Sequence, residues 1–269
     1  RPLAEKRSLE FTLSGEDASR LDSKDVTFAR RIRWVVLSLV PSSLLLGVTT
    51  YVTTDVASAP LFWIVPLALY LLSFVITFSR RVWISHSFVV RRQGFLLLAA
   101  AITVFAQATS PGWLLVALHL VAFLATALVC HGELAKDRPP TRHLTEFYLW
   151  LSIGGVIGGF FNALLAPMIF RNVLEYPLAM IVAALVRPHL DEVPRGRRDR
   201  WLDLLLPAGL GLVVAGIILW SQGNALLSSG TVYRLVFGAA GALCLSFACR
   251  PLRVALGMGA LLLASGLHA

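Results

Sequence analysis

Residues able to do chemistry lie in a few places along these 269 residues, and the first pair flanks one short connection. Cys130-His131-Gly132-Glu133 stands on one side of it and His143-Leu144-Thr145-Glu146 on the other. Two imidazoles and two carboxylates so arranged could ligate a metal through nitrogen and oxygen. The competing reading is an ordinary interfacial connection, where such residues are common. The His-x-Glu spacing also occurs in zinc deaminases, but their Pro-Cys-x-x-Cys is missing. Glu146 reads better as a first-turn acid facing the positive end of a helix dipole. With no Cys-x-x-Cys or paired Cys/His spacing anywhere, no metal and no cofactor is expected.

A second group is richer in hydroxyls. Thr49, Thr50, Thr53 and Thr54 precede Asp55, with Ser42 and Ser43 beside Pro41 upstream. One reading is a binding mouth in which Ser42, Ser43, Thr50, Thr54 and Asp55 meet a small cation or polar substrate. The other is that the threonines bond back to carbonyls of their own helix, while Asp55 and Ser58 cap the next one. Glu175 is the second acid placed on the same outer side, so Asp55 and Glu175 are the cation-contacting candidates. His119 falls mid-segment in an apolar run, which makes it either a functional group or a neutral ring bonded to a neighbour. Gly154-Gly155-Val156-Ile157-Gly158-Gly159 contains two overlapping Gly-x-x-x-Gly patterns, each a flat stripe on which a second helix can sit. Asn162 follows one turn beyond Gly158 on the same face and is placed to hydrogen-bond across that contact. A phosphate-loop reading of these glycines fails, since no strand precedes them and no Lys-Ser/Thr follows.

The elements that must position these residues are legible from composition. The chain is 57% hydrophobic and 14% charged, with a mean hydropathy of +0.75. Soluble domains carry about 25% charged residues, so a water-soluble enzyme, a secreted disulfide scaffold and a disordered tail are excluded. Apolar segments recur at 33–53, 60–79, 93–109, 112–131, 146–168, 173–187, 203–221, 231–249 and 252–268. Most are long enough to cross a hydrocarbon layer of about 30 Å as helices. The sixth is short and the ninth ends with the chain. The expected fold is all-α: a polytopic bundle of eight or nine transmembrane helices over 31–269, preceded by a polar tail over 1–30. Starting at Arg1 and ending in an apolar run, the chain reads as a piece of a longer protein.

Charge sets the orientation. Taking alternate connections, seventeen Lys and Arg residues fall on one side and Arg171 alone on the other. By the positive-inside rule the N-terminus is cytoplasmic. The net charge of +9 therefore belongs to the membrane rather than to a nucleic-acid partner. Cys130, Cys244 and Cys249 lie near the same side, where thiols stay reduced. Prolines 41, 66, 167 and 177 fall within segments and are expected to kink them. Pro41 frees the carbonyl of Leu37, for which Ser42 and Ser43 are candidate partners.

Two stretches resemble a known family. The first is Val40 to Asp55 followed by Pro60 to Leu72. The second runs from Cys130-His131-Gly132-Glu133-Leu134-Ala135 through Phe147 to Ser152, Gly158 to Ala163 and Ala166-Pro167, and ends at Glu175-Tyr176-Pro177-Leu178-Ala179. They resemble the membrane region of bacterial spermidine-synthase-like proteins, in which a bundle of membrane helices precedes a soluble aminopropyltransferase-type domain. The resemblance covers residues 33–190. It implies a bacterial inner-membrane location and a polyamine connection, and places any catalytic residue in a soluble domain outside these residues. The expected function is anchoring, with binding or passage of a small cationic substrate. The alternative is a non-catalytic accessory subunit that meets other membrane subunits through its apolar faces.

Overall fold

The computed structural model describes residues 26–56, 61–79, 81, 83–170, 174–188, 197–222, 230–246, 248 and 250–266. The tail over 1–25, Ser58, Pro60, Arg171 and Cys249 lie outside them, as does the side chain of Asp55. Among the described residues there are helices and no strands. Among them five helices are long and apolar enough to cross a membrane, and four shorter apolar ones lie between or after them.

Helix α1, Phe28–Tyr51, opens on Thr27, whose hydroxyl accepts from the Arg30 amide. It ends in a π turn, Val52–Val56. α2 is Ile64–Phe78, α3 His86–Phe105 and α4 Gly112–Lys136. A short 3₁₀ turn, Thr141–His143, leads into α5, Leu144–Phe160. This helix continues through a π turn, Phe161–Leu165, and a last turn, Ala166–Ile169. α6 is Glu175–Val186, α7 Arg197–Gln222, α8 Gly230–Leu245 and α9 Pro251–Ser265. Each predicted apolar segment thus holds a helix. The starts differ most where basic residues continue the helix beyond the apolar stretch, as in α1, α3 and α7.

α1 is the hub. It packs most extensively on α5 and also meets α2, α4 and α6, while α3, α6, α7, α8 and α9 form a second layer. Trp34, Leu37, Val40, Leu44 and Val48 repeat along one side of α1 and are buried to 2% exposure or less. The outward faces carry large apolar side chains such as Leu212, Leu219, Val156 and Leu263. A polypeptide whose surface is this apolar needs lipid around it, since soluble proteins rarely expose large contiguous apolar patches.

Proline behaves differently from expectation at two of the four positions. Pro66 and Pro177 each stand third in their helices, where the missing N–H would have had no helical partner. Pro167 stands one residue beyond the π turn of α5, whose wider backbone spacing relieves the clash a regular turn would impose on the ring. The prolines inside helices are Pro41 in α1 and Pro207 in α7. Ser42 and Ser43 do not serve the Leu37 carbonyl. They reach across to α5 instead.

Candidate functional site

The basic connections come together at one end of the bundle. There Asp137 accepts from Arg30 Nε at 2.9 Å and from the Trp34 indole at 2.8 Å. Glu133 meets Arg33 at 2.8 Å, His86 Nε2 at 2.8 Å and Lys136 Nζ at 2.9 Å. Glu146 meets Arg31 at 2.6 Å and stands in the first turn of α5. These pairs bind the start of α1, the start of α3 and the end of α4 into one clamp. The residues considered as metal ligands are thereby divided. His131 turns toward α2, Glu133 toward α1 and α3, and His143 with Glu146 stays at α5. No group of three or more His, Cys, Asp or Glu converges on a metal position among the described residues.

The glycine motif resolves into two unlike stripes. At Gly154 an added methyl would overlap the Ser38 hydroxyl and the Val35 carbonyl, and at Gly158 the Leu39 carbonyl. Both glycines therefore lie directly against the backbone of α1. Ser42 donates to the Gly155 carbonyl at 2.9 Å, and the Asn162 amide donates to Ser43 Oγ at 2.6 Å. Gly155 and Gly159 face open space. Ser42 and Ser43 are thus engaged in helix packing.

The rest of the hydroxyl group lies at the opposite end from the clamp. Thr50 and Thr54 are exposed, and Thr54 Oγ1 bonds back to the Thr50 carbonyl at 2.7 Å. Thr49 and Thr53 bond back likewise, to Leu45 at 2.6 Å and Thr49 at 2.8 Å. Such bonds compete with the regular ladder and accompany its loosening into the π turn that carries the Asp55 backbone.

Beneath that turn lies a polar cluster that the sequence only partly signals. His119 of α4 is fully buried. Its Nε2 is 3.0 Å from Thr103 Oγ1 of α3, and its Nδ1 is 2.8 Å from the Tyr176 hydroxyl of α6. Thr103 already donates its proton to the Ala100 carbonyl at 2.7 Å. It must therefore accept from His119 Nε2–H, which leaves Nδ1 to accept from Tyr176 O–H. One neutral tautomer satisfies every partner. The Tyr51 ring covers the site, stacked on Tyr176 at 5.4 Å and tilted over His119 at 4.6 Å. Gly47 makes room for this, because a methyl there would press on Tyr176 at 3.0–3.2 Å.

Glu175 precedes Tyr176 in the chain, first in α6 and 9% exposed, with no hydrogen bond or ion pair to a described residue. Of the residues singled out by type, Glu175 is buried one position before Tyr176, whereas Thr50 and Thr54 lie on the surface. Tyr176, Tyr51 and Thr103 escape sequence reasoning because nothing in their local spacing marks them as partners of His119. Tyr176→Phe is expected to leave His119 Nδ1 without its donor and to cost about 1 kcal/mol. Thermal unfolding in detergent measures that loss. Nitrogen-15 spectra of the histidines should show His119 as the Nε2–H tautomer in both proteins.

Comparison of this chain with protein-family models, with curated proteins and with solved structures finds no match to any of them.

Proposed function

We propose that this chain is the membrane domain of a spermidine-synthase-like protein of the bacterial inner membrane. Its helices cross eight or nine times, with the N-terminus cytoplasmic, and anchor a soluble partner domain while binding a small organic cation at the outer end. The alternation of connections rich in Lys and Arg with connections nearly devoid of them supports the orientation. The observation that carries the cation reading is Glu175, a nine-tenths buried carboxylate with no cationic partner among the described residues, one position before Tyr176 of the Tyr–His–Thr cluster. A buried charge of that kind is stabilised by an incoming positive charge.

Spermidine binding to the purified chain in detergent tests this, read as protection against thermal unfolding. Glu175→Gln is expected to weaken spermidine about tenfold, the size of one charge-assisted contact. Asp55→Asn is expected to weaken it if the π turn closes over the same ligand. Unchanged affinity in both variants overturns the cation reading.

A second reading, an accessory subunit of a larger membrane assembly, is favoured by the open glycine stripe. Gly155 and Gly159 lie beside exposed Val156 and Phe160, a surface on which another helix could pack. Gentle extraction from native membranes separates the two. A stoichiometric complex with other membrane subunits would support this second reading.

A further inference from the structure

α2 and α3 both pack on α4 but make no substantial contact with each other. At the basic end the cleft between them widens into a cavity of about 330 Å³. That is within the roughly 300–1,000 Å³ of small-molecule sites. Its floor is a single face of α4, where Leu128, Gly132 and Lys136 follow at four-residue spacing. Gly132 is required there, because a methyl would run into the His86 ring, which crosses the floor to reach Glu133.

The cavity lining is amphipathic. Ile76 and Val89 line it with apolar surface, and Arg81, Lys136 and His86 line it as well. Glu133 is the carboxylate facing this group. It already serves His86 and Lys136 together with Arg33. Arg81 makes no ion pair with any described residue. Positive charge is thus in excess. Exposed Trp83, at 69%, is at the same level and is the type of side chain that sits among lipid headgroups.

We propose that this cavity binds the phosphodiester headgroup of an anionic phospholipid from the leaflet at the basic end. Arg81 and Lys136 hold the phosphate, and an acyl chain runs along Ile76 and Val89. Basic pockets between membrane helices recognise such headgroups through the same chemistry. A soluble phosphate ester would share the charge contacts but leave the apolar walls unused, which favours the lipid.

The full chain, delipidated in detergent and titrated under native mass spectrometry, tests this with three probes: phosphatidylglycerol, phosphatidylcholine and glycerol phosphate. One phosphatidylglycerol per chain should bind in preference to phosphatidylcholine, and millimolar glycerol phosphate should fail to displace it. Arg81→Gln should reduce the preference about fivefold, and Arg81→Gln with Lys136→Gln further, by the contribution of each basic residue near a lipid surface. Arg81 is exposed and unpaired among described residues, so its single variant decides the matter if the double variant fails to fold. Equal binding of the two lipids overturns the proposal, as does wild-type selectivity in Arg81→Gln. Displacement by glycerol phosphate also overturns it and assigns the cavity to a soluble ester.

Discussion

Gly154→Leu and Gly158→Leu are expected to unfold much of the bundle's stability, while the same change at Gly155 or Gly159 leaves it nearly intact. The four positions are adjacent and chemically identical, so helix propensity cannot separate them. What separates them is what a side chain would meet. At Gly154 and Gly158 the obstacles include the carbonyls of Val35 and Leu39, which are backbone and cannot rotate away. Relief requires α1 and α5 to move apart, and this is the most extensive helix contact in the protein. It would also separate Ser42 from the Gly155 carbonyl and Asn162 from Ser43. Overpacking of this kind costs about 3 kcal/mol. At Gly155 and Gly159 nothing stands within reach, and replacing a helical glycine by alanine gains about 0.5–1 kcal/mol of intrinsic propensity. Unfolding in mixed micelles, followed by circular dichroism, measures all four. Equal losses at the two pairs would mean that α5 does not present the Gly154 face to α1. A Gly155 or Gly159 variant that stays folded but loses a co-purifying subunit would favour the accessory reading.

This contrast also shows where the sequence stops informing. Two glycine stripes offset by one residue are equivalent in any pattern of spacing, and only the partner helix chooses between them. The helices themselves were readable because apolar runs of membrane length, bounded by arginines, have few alternative conformations in lipid. The π turns at Val52–Val56 and Phe161–Leu165 were not, since they depend on hydroxyl back-bonding and on a proline whose consequence is felt upstream.

The candidate site divides in the same way. His119 could be flagged alone, because an imidazole in an apolar run is unusual at any position. Its partners Thr103 and Tyr176 are 16 and 57 residues away and are ordinary residue types in their own helices. Ser42 and Ser43 have the right chemistry for a polar mouth, but α5 packs over them. Glu175 keeps its candidacy for the opposite reason: it is buried and nothing described answers its charge. The clamp at the basic end was equally hidden, with partners about a hundred residues apart that no local pattern connects.

That clamp predicts a strict ranking of charge variants. Glu133 has 9% side-chain exposure and meets two cations, Arg33 and Lys136, together with the His86 ring, whereas Lys136 and Arg33 are 59% and 51% exposed. Removing Lys136 deletes an ammonium that is already largely solvated and should change stability by less than about 0.5 kcal/mol. Removing Glu133 leaves Arg33, His86 and Lys136 facing one another around an empty centre. Breaking a well-buried pair costs about 3–5 kcal/mol; with two of the three partners able to reach water, Glu133→Ala should cost about 2 kcal/mol. Glu133→Gln should fall between the two, since an amide still accepts a hydrogen bond but no longer offsets charge. The spread should narrow as salt rises from 0.05 to 0.5 M, values at which the screening length drops from about 14 Å to about 4 Å. Because the partners share one carboxylate, Lys136→Ala should cost less in the Glu133→Ala background than alone, and should even stabilise it by removing a repulsion. Unfolding in detergent at both salt concentrations measures the ranking. Equal losses for Glu133→Ala and Lys136→Ala would mean that the carboxylate is not the centre of the clamp. His86 would then lose its anchor across Gly132, and the neighbouring cavity would have no fixed polar side.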